Sequence, residues 1–78
     1  MSAEFALRHG DQFPYDAPDE WDVNSPPPAT DWAHRAARGV ISDLSDRHTI
    51  KRGFEEIDEE VRVEIVESLA AIIRAAAA

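Results

Sequence analysis

The chain has no cysteine, a single lysine and no long apolar run, and each absence excludes a class of structure or function. Without cysteine there is no disulfide and no thiolate metal site. The longest apolar run before the terminal alanines covers residues 69–73, far short of the roughly 20 residues that a membrane span needs. We therefore expect a soluble, cytoplasmic protein that does not enter a membrane.

Basic side chains are scarce, since 8 Lys and Arg stand against 16 Asp and Glu for a net charge of −8. Binding to a phosphate backbone needs clustered Lys and Arg, so direct binding to nucleic acid is disfavoured even at the one basic segment, residues 46–52. Acidic residues concentrate at both ends of the chain, in residues 1–30 and 58–78. Such a charge distribution attracts a larger basic protein, although it is also what plain solubility would require.

Catalytic motifs are missing as well. The sequence has no glycine-rich phosphate loop, no thiol nucleophile and no plausible Ser/His/Asp arrangement. Its three histidines lack the i,i+4 spacing of a helical zinc pair. Paired carboxylates such as Glu59-Glu60 are typical of helix N-termini and solvated faces. We predict a non-enzymatic protein with no catalytic residue, no metal site and no cofactor.

Residues 1–29 are predicted to form an extended or partly disordered arm that is acidic and aromatic. Ser2 can cap one or two helical turns that Gly10 would end. Pro14 and Pro18 exclude a regular helix beyond them, and a triproline stretch follows as a stiff spacer. Disordered segments are usually poor in aromatic residues, yet the arm holds four of the six rings. Either it wraps the helices and completes their core, or it docks on a partner; both alternatives remain open.

Residues 30–78 are predicted to form a helical domain, because apolar side chains recur there at steps of three and four. The expected helices run over about 31–47, 50–57 and 59–75. The connections are short, which favours a three-helix unit or a helical hairpin with a short middle helix. The fold class is therefore all-α.

Caps and glycines mark the helix boundaries. Thr30, Thr49 and Asp58 are each suited to an N-cap. Gly53 lies inside the middle helix, where glycine costs about 1 kcal/mol. This position predicts either a tight helix crossing or a helix that is only partly formed.

The last helix is apolar over an unusually wide arc of about 200°. A helix that packs on one neighbour needs roughly half of that arc. It must face two neighbours, which the other helices, the arm or a second copy of the chain can supply. The expected core or dimer face consists of Val63, Val66, Ala70 and Ile73.

Residues 36–47, 50–54 and 57–62, with 64–66, together resemble small uncharacterised proteins of bacteriophages and prophages, over roughly residues 31–75. The resemblance carries no functional residue across. It implies a small acidic accessory protein of a mobile element, a class that includes anti-CRISPR and other counter-defence inhibitors. Such inhibitors often occupy a basic nucleic-acid-binding groove, so the resemblance implies a host defence nucleoprotein as the partner.

The leading hypothesis is a non-enzymatic inhibitor that presents acidic residues to a basic surface on a larger protein, with rings as anchors and carboxylates as steering charges. The alternative is a structural or assembly protein that forms a homodimer through its last helix. The predicted partner-binding residues are Asp16, Asp19, Glu20, Trp21 and Asp22 in the arm, and Glu59, Glu60, Glu64 and Glu67 in the last helix.

Overall fold

The computed structural model describes residues 2–47 and 50–78, and the predicted all-α class is confirmed there. These residues contain no strand, and no helix among them combines the length and apolarity that a bilayer crossing needs. The helices are α1 Ala3–Gln12, α2 Trp32–Ser45, α3 Lys51–Glu55 and α4 Glu59–Ala77. The predicted cap Thr49 lies outside the described residues.

The N-cap of α2 is Asp31, one residue after the predicted Thr30. Its extended backbone lets the carboxylate accept a 2.9 Å hydrogen bond from the backbone N–H of His34. The same carboxylate accepts a hydrogen bond from Arg74, near the end of α4. Because the start of α2 lies at the end of α4, the two helices run antiparallel.

The core lies between α2 and α4 and is narrow. Ala33, Ala37 and Ile41 of α2 meet Val66 and Ala70 of α4, and all five are buried. Only Ile41 and Val66 among the described residues are large side chains that are fully buried. A core made mostly of alanine removes little apolar surface from water. The helices therefore need contacts outside this core to be stable.

The predicted face on the last helix is the core face. Val66 and Ala70 are fully buried, Ile73 packs against the core cluster, and Val63 is half-buried beside them. This face is therefore closed to a second copy of the chain. The wide apolar arc of α4 leaves other apolar side chains outside the core.

Residues of the arm form a regular helix, which corrects the expectation of an extended or partly disordered segment. Ser2 caps α1 as predicted, since its hydroxyl accepts from the N–H of Phe5 at 3.1 Å. However, α1 continues for ten residues and passes through Gly10 instead of ending there. Glycine at this position allows a close approach to α2, because a Cβ on Gly10 would lie 2.9 Å from the carbonyl carbon of Arg38.

The arm wraps the helices beyond α1 as well. The Tyr15 hydroxyl donates a 2.9 Å hydrogen bond to the carbonyl of Phe54, and the two rings meet edge to face at 5.7 Å. Tyr15 therefore attaches the arm to the helices. Of the two alternatives for the arm, this contact corresponds to wrapping around the helices. Burial raises the pKa of Tyr15, with the positive charge of Arg62 opposing that rise, so the ring remains the neutral donor that this hydrogen bond requires.

Two glycine substitutions test the contact between α1 and α2. Gly10→Ala should destabilise the fold by about 1–3 kcal/mol, because its methyl group meets backbone atoms that cannot rotate away. Gly53→Ala is the matched control: nothing lies within 4 Å of a Cβ there, so it should stabilise α3 by up to about 1 kcal/mol. Urea unfolding measures both changes, and a Gly10→Ala variant as stable as the wild type would contradict the close approach.

Acid titration tests the junction at Asp31. Hydrogen bonds from the backbone and then the side chain of His34, with a contribution from Arg74, hold the pKa of Asp31 below its ordinary value of 3.8. A lowered pKa in the folded state stabilises the protein above about pH 4, and that stabilisation is lost as the pH falls further. Asp31→Asn, which keeps a capping oxygen, should be less stable than the wild type at pH 7.

The difference in stability between Asp31→Asn and the wild type should shrink as the pH falls below about 4. Urea midpoints across a pH series give the measurement. Glu20→Gln is the control, because Glu20 is exposed and has no ion pair within the described residues, and it should be about as stable as the wild type throughout the series. A stability difference for Asp31→Asn that does not change with pH would mean that the carboxylate charge is not what stabilises the junction.

Candidate acidic binding surface

The two predicted groups of acidic residues meet in the structure, although they lie some 40 positions apart in the chain. The backbone N–H of Asp19 donates a 2.6 Å hydrogen bond to a carboxylate oxygen of Glu59, the first residue of α4. The loop of residues 16–22 therefore lies beside the N-terminus of α4. Sequence spacing alone could not have predicted this junction, because the contact is not local.

Arg62 holds the loop in this position. Its guanidinium donates to the carbonyls of Tyr15 at 3.0 Å and Ile57 at 2.8 Å, and more weakly to that of Ala17 at 3.4 Å. It also forms an ion pair with Asp19 at 2.5 Å. A planar guanidinium with five donors suits such a set of acceptors. The backbone hydrogen bonds within the loop are those of turns, such as Trp21 N–H to the Pro18 carbonyl at 3.1 Å, so Arg62 satisfies carbonyls that would otherwise depend on water.

Asp16 faces inward, in contrast to the partner-binding role predicted for it. Its carboxylate lies 2.6 Å from the guanidinium of Arg38, and both side chains are largely buried, at 15% and 5% exposure. Arg38 also donates to the carbonyl of Pro27 at 2.9 Å. A buried carboxylate that is already paired is not available to a partner, so Asp16 belongs to the fold.

Most basic side chains are paired with carboxylates inside the molecule. Six of the eight Lys and Arg residues lie within 4.0 Å of an acidic side chain. The pairs are Arg35–Asp11, Arg38–Asp16, Arg47–Asp43, Lys51–Glu55, Arg62–Asp19 and Arg74–Asp31. The negative charge that remains therefore lies on carboxylates outside these pairs.

Five of the predicted acidic residues are exposed and have no ion pair within residues 2–47 and 50–78. We call them the acidic surface: Glu20, Asp22, Glu60, Glu64 and Glu67. The three glutamates follow one side of α4, because steps of four and three residues return to the same helix face. The Asp22 carboxylate also accepts from the N–H of Asn24 at 2.9 Å, which stabilises the turn.

Trp21 lies beside the acidic surface and is half-buried. Its ring meets Phe13 edge to face at 6.5 Å. Both rings line a shallow recess of about 340 Å³ that Pro14 and Arg62 also line. Phe13 is 55% exposed, so this recess presents an aromatic wall to solvent.

A row of rings along α1 was not predicted from the sequence. His9 stacks on Phe5 at 6.1 Å and lies 4.8 Å from Phe13, which continues the row to Trp21. The sequence signal for this row is the i,i+4 spacing of Phe5, His9 and Phe13. That spacing aligns the rings only if the helix continues through Gly10, as α1 does in the structure. Phe5 is 48% exposed, so both ends of the row on α1 are open to solvent.

No protein-family model, curated protein or solved structure matches the chain. The resemblance to phage accessory proteins therefore stays a prediction.

Replacing Arg62 tests how firmly the loop is fixed. Arg62→Met keeps the apolar stem but removes three to four hydrogen bonds, each worth about 1 kcal/mol, and should destabilise the fold by about 2 kcal/mol or more. Amide hydrogen exchange should show faster exchange at residues 15–22. Arg52→Met is the control, since Arg52 is exposed, and it should leave both measurements unchanged. Equal behaviour of the two variants would mean that Arg62 does not hold the loop.

Proposed function

We propose that this protein is a non-enzymatic binding module whose acidic surface occupies a basic nucleic-acid-binding groove on a larger protein. The observation that carries the proposal is the hydrogen bond between Asp19 and Glu59, because it places the acidic loop beside the N-terminus of α4, where the row of glutamates begins. Carboxylates on the loop and along α4 together offer a groove more contacts than either segment alone.

The internal ion pairs support the proposal because they do not include the carboxylates of the acidic surface. Each paired arginine is neutralised within the fold and fixes part of it, whereas the five carboxylates of the acidic surface remain free for a partner. Clustered carboxylates of this kind raise the rate at which a basic protein associates, and the effect weakens as salt rises.

The exposed aromatic rings are a second feature that matches a nucleic-acid-binding groove. Grooves that bind single-stranded nucleic acid combine Lys and Arg with aromatic side chains on which bases stack. Carboxylates can stand in for phosphates in such a groove, and the Phe13 and Trp21 rings can stand in for bases. The proposed binding residues are therefore the acidic surface together with Trp21 and Phe13, while Asp16, Asp19 and Glu59 position the loop.

The biological setting that we propose rests on the resemblance noted above. A phage-encoded inhibitor of the anti-CRISPR type would act on a host defence nucleoprotein inside the infected bacterial cell. That partner class has the required basic groove and defines the first set of proteins to test.

Displacement of DNA tests the proposal. Purified CRISPR effector complexes are bound to fluorescent target DNA and titrated with the protein while fluorescence anisotropy is recorded. The wild-type protein should displace the DNA from at least one effector, with an inhibition constant that rises several-fold between low and physiological salt. The labelled DNA alone should show no change in anisotropy when the protein is added.

A matched pair of variants separates a specific surface from net charge. Glu64→Gln/Glu67→Gln removes two charges from the acidic surface and should weaken displacement by about tenfold or more, if each contact contributes about 1 kcal/mol. Glu4→Gln/Asp46→Asn removes two exposed charges elsewhere and should have little effect. Equal weakening by both variants would mean that net charge, and not the acidic surface, causes the displacement. If the protein displaced DNA from no effector, the proposed partner class would be refuted.

A further inference from the structure

One side of α4 is apolar and faces outward beside the core. Val61 is 45% exposed and Ile72 is 64% exposed, and between them Ile65 is half-buried because it packs against the edge of the core. Together with the exposed Ser68, these residues form what we call the outer α4 stripe. Its steps of four, three and four residues average about 3.7, close to the 3.6 residues of one helical turn, so the four side chains lie on one side of α4.

The exposed area of the whole chain is larger than a monomer of this size normally has. The accessible surface is 5432 Å², whereas a folded monomer of 8.7 kDa is expected to expose about 4,700 Å². The difference, about 700 Å², is close to the roughly 800 Å² that each partner buries in a stable protein–protein interface. The narrow alanine core leads to the same conclusion, because small chains without disulfides or metals commonly gain stability by association.

We propose that the outer α4 stripe binds a second copy of the chain, with the two α4 helices antiparallel and Ser68 near the two-fold axis. The midpoint of the stripe lies between Val66 and Glu67, and Ser68, a stripe residue next to it, is small, so the helices can approach closely there. A second copy is favoured over an unrelated partner because the steps of four, three and four residues read the same in both directions, so a reversed copy brings Val61 opposite Ile72 and Ile65 opposite Ser68.

Charge determines the antiparallel direction. Glu60, Glu64 and Glu67 all lie in the N-terminal half of α4, and the C-terminal half is rich in alanine with Arg74 as its only charged side chain. A parallel pair would place the two rows of glutamates at the same level, where they repel. An antiparallel pair sets each acidic half beside the alanine-rich half of its partner, and it also aligns the helix dipoles favourably.

The dimer is compatible with the proposed function but does not rest on it. In an antiparallel pair the two-fold axis is perpendicular to the helices, so both rows of glutamates lie on the same side of the dimer. Each row is near one end of helices about 28 Å long. Dimer formation would thus double the acidic surface on one face.

Mass measurement tests the dimer. Sedimentation equilibrium at high micromolar concentration should give twice the 8.7 kDa of one chain, and Ile72→Glu should return the mass to that of a monomer. Val23→Glu is the matched control, since Val23 is 68% exposed but lies in the arm, and it should remain dimeric. A strictly monomeric wild type, or equal disruption by both variants, would overturn the proposal.

Single cysteines test the direction and the face, because no cysteine among the described residues would compete. Under mild oxidation Ser68→Cys should form a cross-linked dimer at least tenfold faster than Val61→Cys, which an antiparallel pair keeps far from its own copy. Similar rapid cross-linking of both variants would indicate a parallel pair, and a dimer that Ser68→Cys fails to cross-link would place the interface elsewhere. Either result would refute the arrangement, and neither bears on displacement of DNA by the acidic surface.

Discussion

Two arginines hold the arm against the helices, and the rest of the structure depends on them. Arg38 binds the Asp16 carboxylate and the Pro27 carbonyl, while Arg62 binds three backbone carbonyls and Asp19. Prolines prevent the segment between α1 and α2 from forming regular structure, so its backbone acceptors need partners from elsewhere. The guanidinium groups supply those partners, and in doing so they make the arm part of a fold whose own core is narrow.

The same contacts decide where the negative charge of the molecule lies. Each arginine that fixes the arm neutralises one carboxylate, so the acidic residues that serve the fold are removed from the surface. Of those that remain, Glu60, Glu64 and Glu67 follow one side of α4, and Glu20 and Asp22 lie on the loop, while others such as Glu4 and Asp46 lie elsewhere. The acidic surface on α4 therefore keeps its charge because the basic side chains pair with other carboxylates.

The sequence predicted the local features of this fold and missed the long-range ones. Apolar periodicity located α2 and α4, and Asp58 was identified as the residue before α4, since these signals lie within a few positions of what they determine. The role of Gly10 was mistaken because its effect depends on the backbone of Arg38, which packing brings next to it. Asp16 was assigned to a partner for the same reason: its true partner lies 22 positions away, and no local rule selects it. The core role of Val66 and Ala70 was among the alternatives, but choosing it required the position of α2.

The different sides of α4 explain why its apolar arc is so wide. One side carries Val66 and Ala70 into the core, a second carries the glutamates, and a third carries Val61 and Ile72 outward. The core requires only the first, and plain solubility would be served better by polar residues on the third. The exposed isoleucine and valine on this third side are the apolar surface that the proposed dimer would bury. Because the glutamates and the outward apolar side chains occupy different sides, the proposed dimer contact and the proposed contact with a basic partner use different sides of α4.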